Sequence, residues 1–173
     1  MRNVCIALCA AVWALPAPAQ DFQPALEAYF NRDLRALATD PELVAAARAQ
    51  NAVTIGYTAD RIAALDRDWM AQVGAASRPL IEPILNNPIS DLLRGHQAAS
   101  GGRITEIFLM DAVGLNVAMS GVTSDYWQGD EEKHSETFMV GPDAVHYGAV
   151  EFDESAGSYQ AQISFTVVDP ATG

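Results

Sequence analysis

The sequence predicts an α+β protein in which N-terminal helices pack on an antiparallel β-sheet. Three observations predict it. From Asp21 to about Arg94, apolar residues recur at spacings of three and four, as on helices with one buried face. From Ile104 to Trp127, two short apolar runs flank a turn carrying Asp111 and Gly114, which is hairpin chemistry. From Ser158 to Val168, apolar and polar residues alternate without a break, as in a half-buried strand.

The chain opens with an address. Arg2 gives a positive start, Val4 to Leu15 is an apolar run, and Ala17-Pro18-Ala19 supplies small residues at the cleavage positions. The run is shorter than the roughly 20 residues a membrane span needs. Residues 1–19 therefore read as a signal peptide directing the chain to the periplasm. Residues 20–173 read as one domain, with a helical part over 21–98 and a sheet part over 103–168. Cys5 and Cys9 both fall in the signal, so the exported domain is expected to fold without a disulfide or a thiol ligand. The formal net charge of −12 and the absence of any basic cluster argue against a nucleic-acid partner.

The first helix carries Leu26, Tyr29, Phe30, Leu34 and Leu37 on one stripe. Thr39-Asp40-Pro41-Glu42 then breaks and restarts it: Thr39 or Asp40 suits the cap, Pro41 the first helical position, and Glu42 the positive helix end. The second helix, Glu42 to about Val53, is alanine-rich. Thr58-Ala59-Asp60 opens a third, with Ile62, Leu65, Trp69 and Val73 on one face and an end near Gly74. Pro79, Pro83 and Pro88 make Arg78–Arg94 a broken helical segment, with Ser90 placed to cap a short piece. Ala99-Ser100-Gly101-Gly102 joins it to the hairpin.

Past Trp127, a short exposed helix is expected near Asp130, then an extended piece at Phe138–Val140. A strand is expected over Val145–Phe152, a turn at Asp153–Gly157, and the long strand over Ser158–Val168. Asp169–Gly173 reads as a hairpin turn.

Asp125-Tyr126-Trp127-Gln128 is the strongest ligand-binding candidate. Adjacent aromatics in a polar turn wall a pocket, Asp125 and Gln128 orient a ligand by hydrogen bonds, and a Trp face beside a carboxylate suits an ammonium group. Met119, Tyr147, Tyr159 and Phe165, from the hairpin and the later strands, are the expected neighbours of that concavity. A metal site at Asp130, Glu131, Glu132 and His134 is not expected, because consecutive carboxylates on a helix diverge. Ser120, Ser124 and Ser164 have no nucleophile elbow around them, and there is no glycine-rich phosphate loop. The expectation is a binding domain without cofactor, metal or catalytic residues.

Four stretches add a resemblance: ALATDPELVAAARAQN, ITEIFLMDAVGLNVAMS, TSDYWQGDEEK and EFDESAGSYQAQISFTVVDPATG. Together they resemble the bacterial extracytoplasmic Cache (PAS-like, PDC-type) sensor domains over nearly all of residues 20–173. The resemblance implies a PAS-like sheet with a helix alongside, and a small-molecule pocket roofed by the segment after the hairpin. It implies a periplasmic sensor in signal transduction, read out by a partner such as a membrane-bound signalling protein. It also implies a further strand of the form P-I-G-A-I-T-V-G after D-P-x-T-G, where this sequence stops at Gly173. An open edge on the last strand is therefore expected, able to pair with a second copy. The alternative expectation is a ligand-free structural or interaction module using that open edge.

Overall fold

The computed structural model describes residues 22–153 and 158–172. The expected signal peptide, the tip of the Asp153–Gly157 turn and Gly173 lie outside the described residues. The fold is α+β, helices first and antiparallel ladders after.

Helix α1 (Gln23–Tyr29) runs on into a π-turn over Phe30–Leu34 and a 3-10 turn over Arg35–Thr39. Its stripe is used as expected: Phe30, Leu34 and Leu37 are buried in one core cluster, with Tyr29 packed against it. Asp40 caps α2 (Pro41–Thr54), its carboxylate accepting from the N–H groups of Glu42 and Leu43. Thr58 caps α3 (Ala59–Gln72) by accepting from the Arg61 N–H. The chain turns extended at Val73 and Gly74 takes φ +76°, so Val73 leaves the expected apolar face and is exposed.

The broken segment resolves into α4 (Ile81–Leu85) and α5 (Pro88–Ala99). Asn87, not Ser90, caps α5. Pro88 takes the first helical position, which leaves Asn87 to accept from the Ser90 N–H at 2.8 Å. Ser90 is fully buried and works elsewhere: its Oγ donates to Ile84 O at 2.6 Å and accepts from Met119 N–H at 2.9 Å. It ties both helices to the hairpin.

That hairpin is β1 (Phe108–Met110) and β2 (Asn116–Met119), paired Phe108 to Met119 and Leu109 to Ala118. The Asp111 carboxylate accepts from the N–H groups of Val113 and Leu115 at 3.0 and 2.9 Å, and Gly114 takes φ +86°. Every residue of β2 is buried, because the hairpin is covered on both faces. Leu109, Val117 and Ala118 join the first cluster with Phe30, Leu37 and Leu93. Leu115 and Met119 join a second with Trp69, Ile81, Ile84 and Tyr126.

After α6 (Glu132–Ser135), the piece expected to be extended at Phe138–Val140 is a turn. Val140 N–H bonds Thr137 O at 2.9 Å, continuing the helical winding, and all three side chains are exposed. The two long strands are each broken once, into β3 (Val145–Tyr147) and β4 (Glu151–Asp153), and β5 (Ser158–Gln160) and β6 (Ile163–Phe165). β3 pairs with β6 and β4 with β5, both antiparallel. The bend lies where Gly148 N–H donates to Gln162 O at 2.9 Å. A Cβ on Gly148 would stand 3.4 Å from that of Gln162, an ordinary van der Waals contact. Beyond the bend, Phe152 and Tyr159 are exposed and meet each other edge-on at 5.2 Å. The last turn is present: Thr172 N–H bonds Asp169 O at 3.1 Å, and Arg48 pairs with the Asp169 carboxylate.

Candidate functional site

The turn marked out by its aromatics is a structural joint. Tyr126 is buried and stacks on Trp69, with centroids 5.0 Å apart and planes within 6°. Trp127 donates its indole N–H to Val113 O at 2.9 Å. Asp66 of α3 accepts from the N–H groups of both Tyr126 and Trp127 at 2.9 Å. Gln128 is buried, donating to Asp125 O and accepting from Lys133 Nζ. The Asp125 carboxylate accepts from its neighbour Ser124. These polar groups are spent on the fold.

The eight expected site residues do not converge. Met119, Tyr126 and Trp127 belong to the second cluster, whereas Tyr147 and Phe165 pack against the first. The doubly covered hairpin stands between them, and the bend at Gly148 carries Tyr159 out to solvent at 75% exposure. The concavity expected from sequence, with Tyr126 and Trp127 facing the final strand, is therefore corrected.

The Tyr126 hydroxyl yields a pH prediction. Burial first, then the charges of Asp111 and Tyr57, push its pKa from 10.0 up to about 12. The folded state thus holds this proton more tightly than the unfolded chain. Its contribution is complete below pH 10 and is lost as pH rises through 12. Urea unfolding is expected to show stability falling by about 2–3 kcal/mol over that window. Tyr126→Phe is expected to flatten the fall; an equally steep decline in the variant would assign it to other groups.

The structure instead opens a cleft of about 600 Å³ between β1 and β6. Its body is apolar, with Leu37, Leu43 and Leu93 from the helices, Leu109 and Phe165 from the strands, and Val167 just past β6. Asn51, Asp111, Lys133, His134 and Thr137 make a polar end. Of the expected residues, Tyr159 and Phe165 line it.

His134 is the unusual group there. It is 6% exposed, and its Nε2 lies 3.3 Å from Ala112 O, an acceptor, so this nitrogen carries the proton. In the neutral ring Nδ1 is then a bare acceptor, and it is buried with no hydrogen-bond partner among the described residues. Around it, Gln50 donates to the Asp111 carboxylate at 3.0 Å and Asn51 accepts from Ala112 N–H at 2.7 Å, clamping the hairpin turn to α2. Lys133 is held by Glu131 and Gln128 over the Phe108 ring. Gln50, Asn51, Asp66 and His134 carry no sequence motif; two polar residues ending an alanine-rich helix are the only signal for the first two. The acidic run does diverge: Glu131 faces Lys133 and Glu132 faces His146. No group of three His, Cys, Asp or Glu among the described residues is placed to hold a metal. No helix among the described residues is long and apolar enough to cross a membrane.

Comparison with known proteins gives no match to a family model, a curated protein or a solved structure.

Proposed function

We propose that the chain is an exported, Cache-type sensor domain of the periplasm that binds a small molecule and acts in signal transduction through a partner protein. The cleft between β1 and β6 is its recognition site, and this one observation carries the reading. Its volume of about 600 Å³ suits a small ligand. Its apolar body and the lone pair on His134 Nδ1 suit an apolar molecule carrying one N–H or O–H donor. The domain is a binder rather than an enzyme, and it uses no cofactor.

A thermal-shift screen with amino acids, amines, carboxylates and neutral amides tests this. A ligand at 100 times its Kd is expected to stabilise by about 2.7 kcal/mol. His134→Phe is expected to lose most of that shift. A shift that His134→Phe leaves intact removes His134 from the site, and no shift from any class removes the small-molecule reading.

A second reading is favoured by the backbone. The cleft lies between two strands whose outer edges are unpaired among the described residues. That suits an interaction module whose partner, a signalling protein or a second copy of this chain, docks through the sheet edge.

A further inference from the structure

Most exposed large apolar side chains among the described residues stand singly or cover one another, as Phe152 and Tyr159 do. Phe138, Met139 and Val140 are three in a row, at 46, 68 and 66% exposure. A single exposed apolar residue is ordinary, whereas a contiguous apolar surface marks a place of contact. The turn holds this run outward by its own hydrogen bonds. Val140 N–H and Gly141 N–H both reach Thr137 O, at 2.9 and 3.0 Å. Thr137 Oγ1 donates to Lys133 O at 2.6 Å, and Thr166 Oγ1 donates to Gly141 O at 2.8 Å. The turn is therefore wound onto the end of α6 and fastened at its far side to the chain just past β6. Its three side chains are in place before anything binds, which lowers the ordering cost of docking.

Charge defines what such a surface accepts. Residues 104–173 contain 12 Asp and Glu, one Lys and no Arg, so nearly all of the formal −12 lies in this half of the chain. On either side of the run, Asp130, Glu131, Glu132, Glu136 and Asp143 are exposed. Lys133 does not offset them at the surface: its side chain is 13% exposed and is held by Glu131 and Gln128. The apolar run thus has an acidic rim. A second copy of this chain would bring the same five carboxylates against it, and anionic headgroups are repelled in the same way. A cationic segment with apolar anchors is attracted by both the rim and the run.

We infer that the Phe138–Val140 turn is the surface on which a partner protein docks, and that the partner offers it a basic amphipathic segment. Apolar side chains of that segment cover the run, and its Lys or Arg side chains meet the rim. The inference rests on the reading of the domain as a sensor that acts through a partner, and it gives that partner a place and a chemistry. The turn also touches the recognition site. Phe138 stacks on His134 with ring centroids 5.4 Å apart, and both residues line the cleft. A molecule seated against His134 therefore bears on Phe138. Occupancy of the cleft and docking at the turn share this one pair of rings.

The probe is a synthetic peptide of leucine and lysine, about 18 residues long and patterned as an amphipathic helix. It is titrated by calorimetry into the chain with no small molecule present, so the result does not depend on the thermal-shift screen. Binding is expected, with the Met139 methyl signal shifting in NMR. Met139→Ser with Val140→Ser is expected to weaken it by about tenfold or more, since both side chains are exposed anchors. Glu136→Gln with Asp143→Asn is expected to weaken it by about threefold or more, and salt at about 0.5 M to do the same. Peptides with glutamate in place of lysine, or serine in place of leucine, are expected not to bind. Equal affinity for the two-serine variant overturns the inference, because the peptide then lies on acidic surface elsewhere. Equal binding of the glutamate peptide overturns it too, as does no binding of the lysine peptide. A dimer of the chain alone that the two serines dissociate would give the turn to a second copy instead. A chain that fails here but shifts with a small molecule keeps the sensor reading and loses only this surface.

Discussion

Trp69→Ala is expected to destabilise the fold by about 3–5 kcal/mol in urea unfolding, the range for deleting a buried large aromatic. Trp69 is completely buried and central to the second cluster. Its ring covers Tyr126, and its indole N–H donates to Thr123 O at 2.9 Å. The truncation leaves a cavity under the hairpin and strips a buried carbonyl of its donor, and the two costs add. Domains of this size are stable by about 5–15 kcal/mol, so the variant sits close to unfolding. Trp69→Phe separates the costs: it keeps a ring against Tyr126 and loses the hydrogen bond, for about 1–3 kcal/mol. A Trp69→Ala loss below about 1 kcal/mol would mean that this cluster does not hold the hairpin.

The contrast between fold and site follows from what a linear sequence encodes. The Asp40-Pro41 and Thr58 caps act within three residues, and both are legible in the sequence. So is the hairpin turn, because Asp111 and Gly114 solve a local problem. The Tyr126–Trp127 pair is legible as unusual but not as structural. What consumes it comes from Asp66 and Trp69, some sixty positions upstream. Alternation over Ser158–Val168 reads as one strand, and its side-chain period is real through Ile163, Phe165 and Val167. The break lies where Gly148 N–H donates to Gln162 O, a pair that no window of ten residues contains. The cleft is the extreme case. Its walls come from positions between Leu26 and Val167, and its most telling atom, His134 Nδ1, matters because of what does not reach it.

Gly114→Ala is expected to cost about 2–5 kcal/mol, combining the penalty for a left-handed non-glycine residue with that of an overpacked contact. The φ of +86° already disfavours any Cβ. Space disfavours it more. The added carbon would stand 2.4 Å from Gly129 Cα and 2.6 Å from Gly129 N, both backbone atoms without freedom to swing aside. Gly129 is itself needed there, since a Cβ on it would meet Trp127 Nε1 at 2.4 Å. The two glycines let the hairpin turn and the segment after Trp127 touch backbone to backbone. Gln128 N–H then reaches Gly114 O at 2.8 Å and Trp127 Nε1 reaches Val113 O at 2.9 Å. Pushing the chains apart breaks both bonds and loosens the Asp111 turn at the polar end of the cleft. Gly95→Ala is the control. It lies in α5 with nothing within 4 Å of its Cβ position. There alanine is expected to be neutral or to stabilise by about 0.5–1 kcal/mol through its helix preference. If the two variants unfold at the same urea concentration, the Gly114–Gly129 contact is not part of the folded protein.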